Sequence, residues 1–343
     1  MTNIEQHPLD TAQWSTPGAG GGDACIVTRT LPDRPRSLID MADLLALGAL
    51  AVGTPIASIL SDKQLGALAS NLTRFLPPGF RQEAKLDTFV KLGGMSRDEA
   101  VTLRDRQLEQ RLTSLVFFLK QLGGRPAYKA TVEGQENVAE ALAHGRGAVI
   151  WIADFVFASE ITRQAFHSVG HPLTHMIRPE HGLSSTRFGL RYLNPIHARV
   201  EMPYLRERIV FDRNDPQKAR HRLEQCLAEN GLISILACAY EGRKLVYCPF
   251  LRGRLALAAG APALAFKMRC PILPVFALPS PRAPNFVVTI GKPLSMSATD
   301  RDTALLQATS DFVQRLAPYV NAYPHLWRGW PSLAGDSVIS DTA

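Results

Sequence analysis

Apolar positions recur at helical spacing in the first third of the chain: Leu65, Leu68, Leu72 and Phe75, then Leu108, Leu112, Leu115, Phe118 and Leu119. Pro77-Pro78-Gly79 separates the two runs, and Gly123-Gly124 closes the second. Ahead of them, Leu44 to Ser61 carries no charge between Asp43 and Asp62. That length is near the lower limit for a membrane span, about 17–25 residues. Gly48, Gly53, Thr54, Pro55 and Ser58 dilute it, and no Lys or Arg flanks it closely on the N-terminal side. The pattern predicts a helix pair broken near Pro55, packed on the protein or lying in the membrane interface, in preference to a true span.

From Tyr128 the pattern changes. Val138 to His144 reads as a short helix and Gly145-Arg146-Gly147 as a tight turn. Ala148 to Ala153 (AVIWIA) is a continuous apolar run, as expected of a strand buried on both faces. A helix over Ser159 to Val169 stops at Gly170, and Leu173 to Ile177 is the next strand. Further on come a helix from Gln217 to Glu229, a strand from Leu232 to Ala237 and a helix from Arg254 to Met268. A strand from Ile272 to Leu278, its partner Phe286 to Ile290 and a helix from Thr303 to Leu316 complete the series.

Strands alternating with helices imply an α/β fold with a mainly parallel mixed sheet flanked by helices, preceded by an N-terminal helical segment. The expected divisions are a loose tail over 1–35, a membrane-proximal helical segment over 36–125, an α/β domain over 126–332 and a tail over 333–343. In such sheets the chemistry lies beyond the C-terminal ends of the strands. That rule selects Asp154 to Glu160, Arg178 to His181 and Cys238 to Arg243.

Composition narrows the classes. A hydrophobic fraction of 46% with 20% charged residues belongs to a folded chain. The net charge of +7 favours anionic partners without selecting one. The cysteines, Cys25, Cys226, Cys238, Cys248 and Cys270, form no C-x-x-C pair, which argues against structural zinc and fits buried thiols in a reducing compartment. Met1 to Asp23 is polar and does not read as a secretory signal. There is no G-x-S-x-G elbow, P-loop or dinucleotide fingerprint, and no aromatic-interleaved basic motif, so no nucleic-acid partner is expected.

Four features recur in order: Gly145-Arg146-Gly147 before a buried strand, Arg178-Pro179 after the next strand, the run Val246 to Leu251 leading to Ala261-Pro262, and Cys270 to Phe276. With Tyr323-Pro324-His325-Leu326-Trp327-Arg328 near the C-terminus, the chain from about Val138 to Trp330 resembles the lipid A biosynthesis (lysophospholipid-type) acyltransferases. The resemblance implies transfer of an acyl chain from a carrier thioester to a lipid or lipid-like acceptor. It also implies a peripheral or monotopic seat on the cytoplasmic face of the inner membrane, anionic lipid as a partner, and acyl carrier protein or CoA as the carrier of the co-substrate, with no other cofactor. A relative that binds acyl chains or a carrier protein without turnover is the alternative.

That family places a His-x4-Asp/Glu pair after the first strand, where the imidazole takes the acceptor proton and the carboxylate fixes its tautomer. Here the slot holds Asp154, with Ser159 and Glu160 following. A free aspartate titrates near ~3.9, and only desolvation or a nearby carboxylate such as Glu160 would raise it. Three outcomes are open: a base displaced to His181, a carboxylate pair at Asp154 and Glu160, or no transfer. His181 follows a strand expected to neighbour the first at ~4.8 Å, and its competing reading is an exposed loop histidine. His167, His171 and His175 are expected to lie away from the strand ends.

Arg178 is expected to hold a phosphate or polarise the thioester carbonyl, with a surface ion pair to Glu180 as the bland reading. Glu241 is the remaining acid of the third strand end, and Ser159 and Arg243 are candidate substrate contacts. Cys238 reads as a small buried hydrophobe more readily than as a nucleophile. Arg187, Arg191, Arg199, Arg206, Arg208 and Arg213 form a basic stretch suited to acidic headgroups or an acidic carrier, or to plain solvation.

Overall fold

The AVIWIA run forms β3 (Ala148–Ala153), and every one of its residues is buried. β6 (Leu232–Ala237) and β9 (Ile272–Pro279) pair with it in parallel on either side. The other strands of this sheet are β2 (Ala130–Glu133), β4 (Leu173–Ile177), β5 (Leu205–Val210) and β10 (Phe286–Ile290). Their order is β2-β10-β9-β3-β6-β4-β5, with β10 antiparallel to β9 and every other pair parallel. The chain is thus an α/β protein with a mixed, mainly parallel sheet and an N-terminal helical segment. The structure, a computed structural model, describes residues 24–31, 36–75, 84–125, 129–212, 215–239, 242–280 and 285–335. Pro77-Pro78-Gly79, Arg213, Glu241 and the side chains of Leu72 and Phe75 lie outside the described residues.

Several expectations are corrected. The helix expected from Arg254 is two elements, strand β8 (Gly253–Ala258) and helix α10 (Gly260–Met268). Arg254 and Ala256 point to the face opposite Leu255 and Leu257, a period of two that small residues disguised. β8 lies in a second, antiparallel sheet with β1 (Cys25–Thr28), β7 (Lys244–Phe250) and β11 (Leu333–Ala334), in the order β1-β7-β8-β11. Cys25–Thr28 and Leu333–Ala334 therefore belong to the folded body and not to tails, because each supplies main-chain partners to a strand edge. The last helix, α11 (Arg301–Ala322), continues past Pro318, held by the burial of Leu316 and Val320.

The apolar segment also differs. α1 (Met41–Gly48) passes through a π-helical turn, Ala49–Gly53, directly into α2 (Thr54–Ile59), giving one rod of 19 residues. Pro55 cannot donate to the carbonyl one turn back, and the wider turn ahead of it absorbs the defect without a break. The rod is tied down near both ends. Asp43 is fully buried and accepts from Thr186 Oγ1 at 2.7 Å, while Arg125 Nε donates to Ser58 O at 2.8 Å. Its outer face leaves Met41, Leu44, Leu45, Val52 and Ile59 more than half exposed. α3 (Asp62–Phe75), α4 (Ala84–Lys91) and the 26-residue α5 (Arg97–Leu122) follow, the last opened by a capping box between Ser96 and Glu99.

Candidate functional site

β3 ends at Asp154, and the turn after it is shaped by residues from the far end of the chain. Val156 N donates to Leu326 O at 2.8 Å, and Arg328 N donates to Asp154 O at 2.8 Å. The Tyr323 to Arg328 segment therefore straps the strand end, with Trp327 buried and bridged to Phe155. Phe157 adopts a left-handed φ of 72° and starts α7 (Ala158–Ser168), which carries Ser159, Glu160 and Arg163. β6 runs level with β3, Ala237 opposite Ala153, so Cys238 leaves the sheet beside Asp154.

Asp154 is buried, and its Oδ1 lies 3.6 Å from Arg328 Nε without a formed hydrogen bond. Burial pushes its carboxyl above the ordinary value and Glu160 acts in the same sense, while Arg328, Arg178 and Arg111 oppose. Asp154, Glu160 and Arg178 thus share one electrostatic neighbourhood. Burial works against ionisation of Glu160 too, but Arg163 prevails and holds its carboxyl below the ordinary range.

His181 is not beside Asp154. β6 lies between β3 and β4, since His175 of β4 pairs with Ser234 of β6. Two strand spacings put the ends of β3 and β4 roughly 10 Å apart, about twice the expected separation. The expectation overlooked that a strand from later in the chain can insert between two consecutive ones. The loop carrying His181 is fixed by Asn194, whose Oδ1 accepts from Leu183 N and Ser184 N and whose Nδ2 donates to Pro179 O and Ser184 O.

His181 instead meets a group that has no counterpart in the sequence expectations. Its Nε2 lies 2.7 Å from Oε1 of Glu201, a residue of α8 (Asn194–Glu201) only 2% exposed at its side chain. Arg163 Nη2 reaches the same oxygen at 2.9 Å, and Arg163 is equally buried. His197, one helical turn before Glu201, lies 3.4 Å from it, and Arg208 of β5 is 3.4 Å from Oε2. Arg163 also donates to Ser159 Oγ at 2.6 Å. Ser159 lies 3.4 Å from His175 Nε2, and His175 Nδ1 is 2.7 Å from Ser234 Oγ. A polar network therefore runs from the middle of the sheet through Ser159 and Arg163 to Glu201 and His181. His175 lies inside β4, away from the strand ends as expected, and is joined to the network through Ser159 and Ser234.

The chemistry of this network follows from its charges. Burial alone would raise the Glu201 carboxyl, but Arg163 and His181 hold it far below the ordinary range, so Glu201 is an anion. An Nε2–H donated by His181 to this anion leaves Nδ1 as the acceptor nitrogen of the ring. His181, His197 and Glu201 offer ligand atoms within 4.8 Å of one another. Two guanidinium groups already sit on the same carboxylate, so a divalent cation placed there would face fixed positive charge. A cavity of about 220 Å³ opens beside this group, lined by Arg111, Phe118, Glu160, Arg163, His197 and Glu201 among others.

The remaining expected residues lie elsewhere. Glu241 is outside the described residues. Arg243 precedes β7 on the second sheet, its carbonyl accepting from Arg29 N. Arg208, read as part of a basic surface stretch, is largely buried against Glu201, and Arg206 pairs with Glu229. Glu180 pairs with Arg36 at 2.5 Å.

The network sets an acid sensitivity. Burial holds His197 at about 4, with Glu201 opposing only in part. Between roughly 6.5 and that value the unfolded chain binds a proton that the folded chain does not, so stability falls as pH drops through this window. His175, held well below its ordinary value by burial and Arg163, acts in the same direction. Glu201 adds stability that is present above the ordinary carboxylate range and is lost as pH falls below it. The urea midpoint is expected to fall steadily from pH 6.5 to 4, and a flat profile would show that these imidazoles are not held neutral.

Compared with known proteins, the chain matches no family model and no curated protein.

Proposed function

We propose that this protein is an acyltransferase of the lipid A biosynthesis type, working at a membrane surface with its base rebuilt from His181 and Glu201. The observation that carries the reading is the 2.7 Å contact between His181 Nε2 and the buried Glu201 carboxylate at the C-terminal edge of a parallel sheet. An imidazole oriented by a carboxylate is the pair that the resembling family's chemistry requires, supplied here by a loop and a helix in place of the residues after β3.

In this mechanism His181 Nδ1 takes the proton of an acceptor hydroxyl. The oxygen attacks the thioester carbonyl, and Arg178 stabilises the oxyanion that forms. Collapse breaks the C–S bond, and the departing thiolate takes the proton back from the imidazolium. Asp154 serves by position: it sets the charge around Arg178 and anchors the C-terminal strap through Arg328.

The rod over Met41–Ile59 supports the membrane seat. At 1.5 Å per residue it is about 28 Å long. Because Asp43 and Ser58 bind opposite ends of it to the folded body, it lies along the protein with its apolar face outward. Replacing the 55%-exposed Leu45 by Glu is expected to weaken vesicle binding on the order of tenfold or more without changing the melting temperature. Unchanged sedimentation with vesicles would remove the rod from the account.

The reading is tested by incubating the full chain with a labelled acyl carrier protein or CoA thioester and hydroxyl-bearing lipid on vesicles. Label is expected in the lipid fraction. Donor binding without product would favour the alternative, a relative that binds acyl donors without turnover.

A further inference from the structure

α8 faces two cavities. His197 and Glu201 look into the one beside Glu160, whereas Ala198 and Arg199, with Met202 just past the helix end, look into an open groove of about 820 Å³ on the other side. That volume lies within the range usual for small-molecule sites, roughly 300–1,000 Å³. Leu190, Ala198, Met202 and Val210 give the groove apolar walls, and Met202 and Val210 remain 46% and 43% exposed. Its charged lining residues are Arg199 and Arg208, and no acid stands among the described residues that line it.

The groove also has a defined neighbour. Leu190 belongs to the π-helical turn Gly189–Leu193, and Thr186 just before it binds Asp43 of the apolar rod. The groove therefore opens next to the segment whose outer face is exposed hydrocarbon. Arg208 stands at its inner wall and leads back into the molecule. Arg208 Nε and Glu201 Oε2 face each other at 3.4 Å, both buried and neither with a hydrogen-bond partner.

We infer that this groove is a binding site for one anionic phospholipid of the membrane, with an acyl chain against Leu190, Ala198, Met202 and Val210 and the headgroup phosphate on Arg199 and Arg208. Charge complementarity selects the anionic headgroup, and continuity with the apolar rod selects a membrane lipid over a soluble phosphate. The inference rests on the proposed membrane seat and not on acyl transfer. A phosphate on Arg208 competes with Glu201 for the guanidinium, so occupancy of the groove is read by the carboxylate that orients His181 and lies 3.4 Å from His197.

The test is native mass spectrometry of the full chain released from detergent micelles containing phosphatidylglycerol or phosphatidylcholine. One phosphatidylglycerol is expected to stay bound per chain, with phosphatidylcholine retained at least about tenfold less. Ala198→Trp fills the groove and is expected to abolish retention while vesicle sedimentation, which reads the rod, stays as in the wild type. Val210→Trp closes the groove from the opposite wall and serves if Ala198→Trp does not fold. Leu45→Glu is expected to lose sedimentation yet keep the bound lipid. Equal retention of the two lipids, or full retention in a folded groove-filled variant, would overturn the site. Phosphatidylglycerol is also expected to shift the ring resonances of His197, and retention without that shift would overturn the link to Glu201.

Discussion

Replacing Glu201 by alanine is expected to lower the free energy of unfolding by about 3–5 kcal/mol, the usual cost of leaving a buried partner charge uncompensated. Arg163 has a side chain only 2% exposed, and its remaining acidic partner, Glu160, is at 3.9 Å. Arg208 loses its partner at the same time, and His181 loses its hydrogen bond. The wild-type ion pair itself contributes much less than this cost, because desolvating both groups offsets most of their attraction. The double variant Arg163→Met, Glu201→Met is therefore expected to regain much of the loss, with a coupling well above 1 kcal/mol in a double-mutant cycle. Urea unfolding at neutral pH checks both. A loss under 1 kcal/mol for Glu201→Ala would mean that the carboxylate does not neutralise Arg163.

His181→Ala is expected to reduce the rate of acyl transfer by about 10²–10⁴-fold, the range for removing a general base. The side chain is 28% exposed, so the fold is expected to tolerate the change. Glu201 and Arg163 keep each other in the variant, and donor binding, which depends on other groups, is expected to stay within a few-fold of wild type. A loss confined to KM would point to a binding role for His181. A loss in kcat with unchanged donor affinity is what a base predicts.

The fold was legible wherever one strand was buried on both faces. Ala148–Ala153, Leu232–Ala237 and Ile272–Pro279 announce themselves as apolar runs, and the parallel sheet follows from the helices between them. The second sheet was not legible, since β1 and β11 are short and β8 alternates among small residues. Part of the candidate site was legible for a related reason. Asp154 and Arg178 follow strand ends that the sheet rule selects, Glu160 stands in the first turn of the helix after β3, and the charges of Glu160 and Arg178 act on the Asp154 carboxyl. Strand order decides the rest, and sequence order does not reveal that β6 inserts between β3 and β4.

Glu201, Arg163 and His197, and the link of His175 to them, were missed because a buried charge network leaves no apolar periodicity. One signal was available. Asn194-Pro195 opens a helix on which His197 and Glu201 stand four apart on one face. A histidine and a glutamate so placed, following a histidine in the preceding loop, are worth testing as a cluster in any chain of this pattern.

The most direct test of the proposed base compares wild type, His181→Ala and Asp154→Asn with one labelled thioester donor on the same vesicles. Transfer by the wild type is expected to fall by about 10²–10⁴-fold in His181→Ala and by less than about tenfold in Asp154→Asn, where a positioning charge alone is lost. The reverse order, with Asp154→Asn inactive and His181→Ala near wild type, would contradict the account and assign the chemistry to the carboxyl at the end of β3.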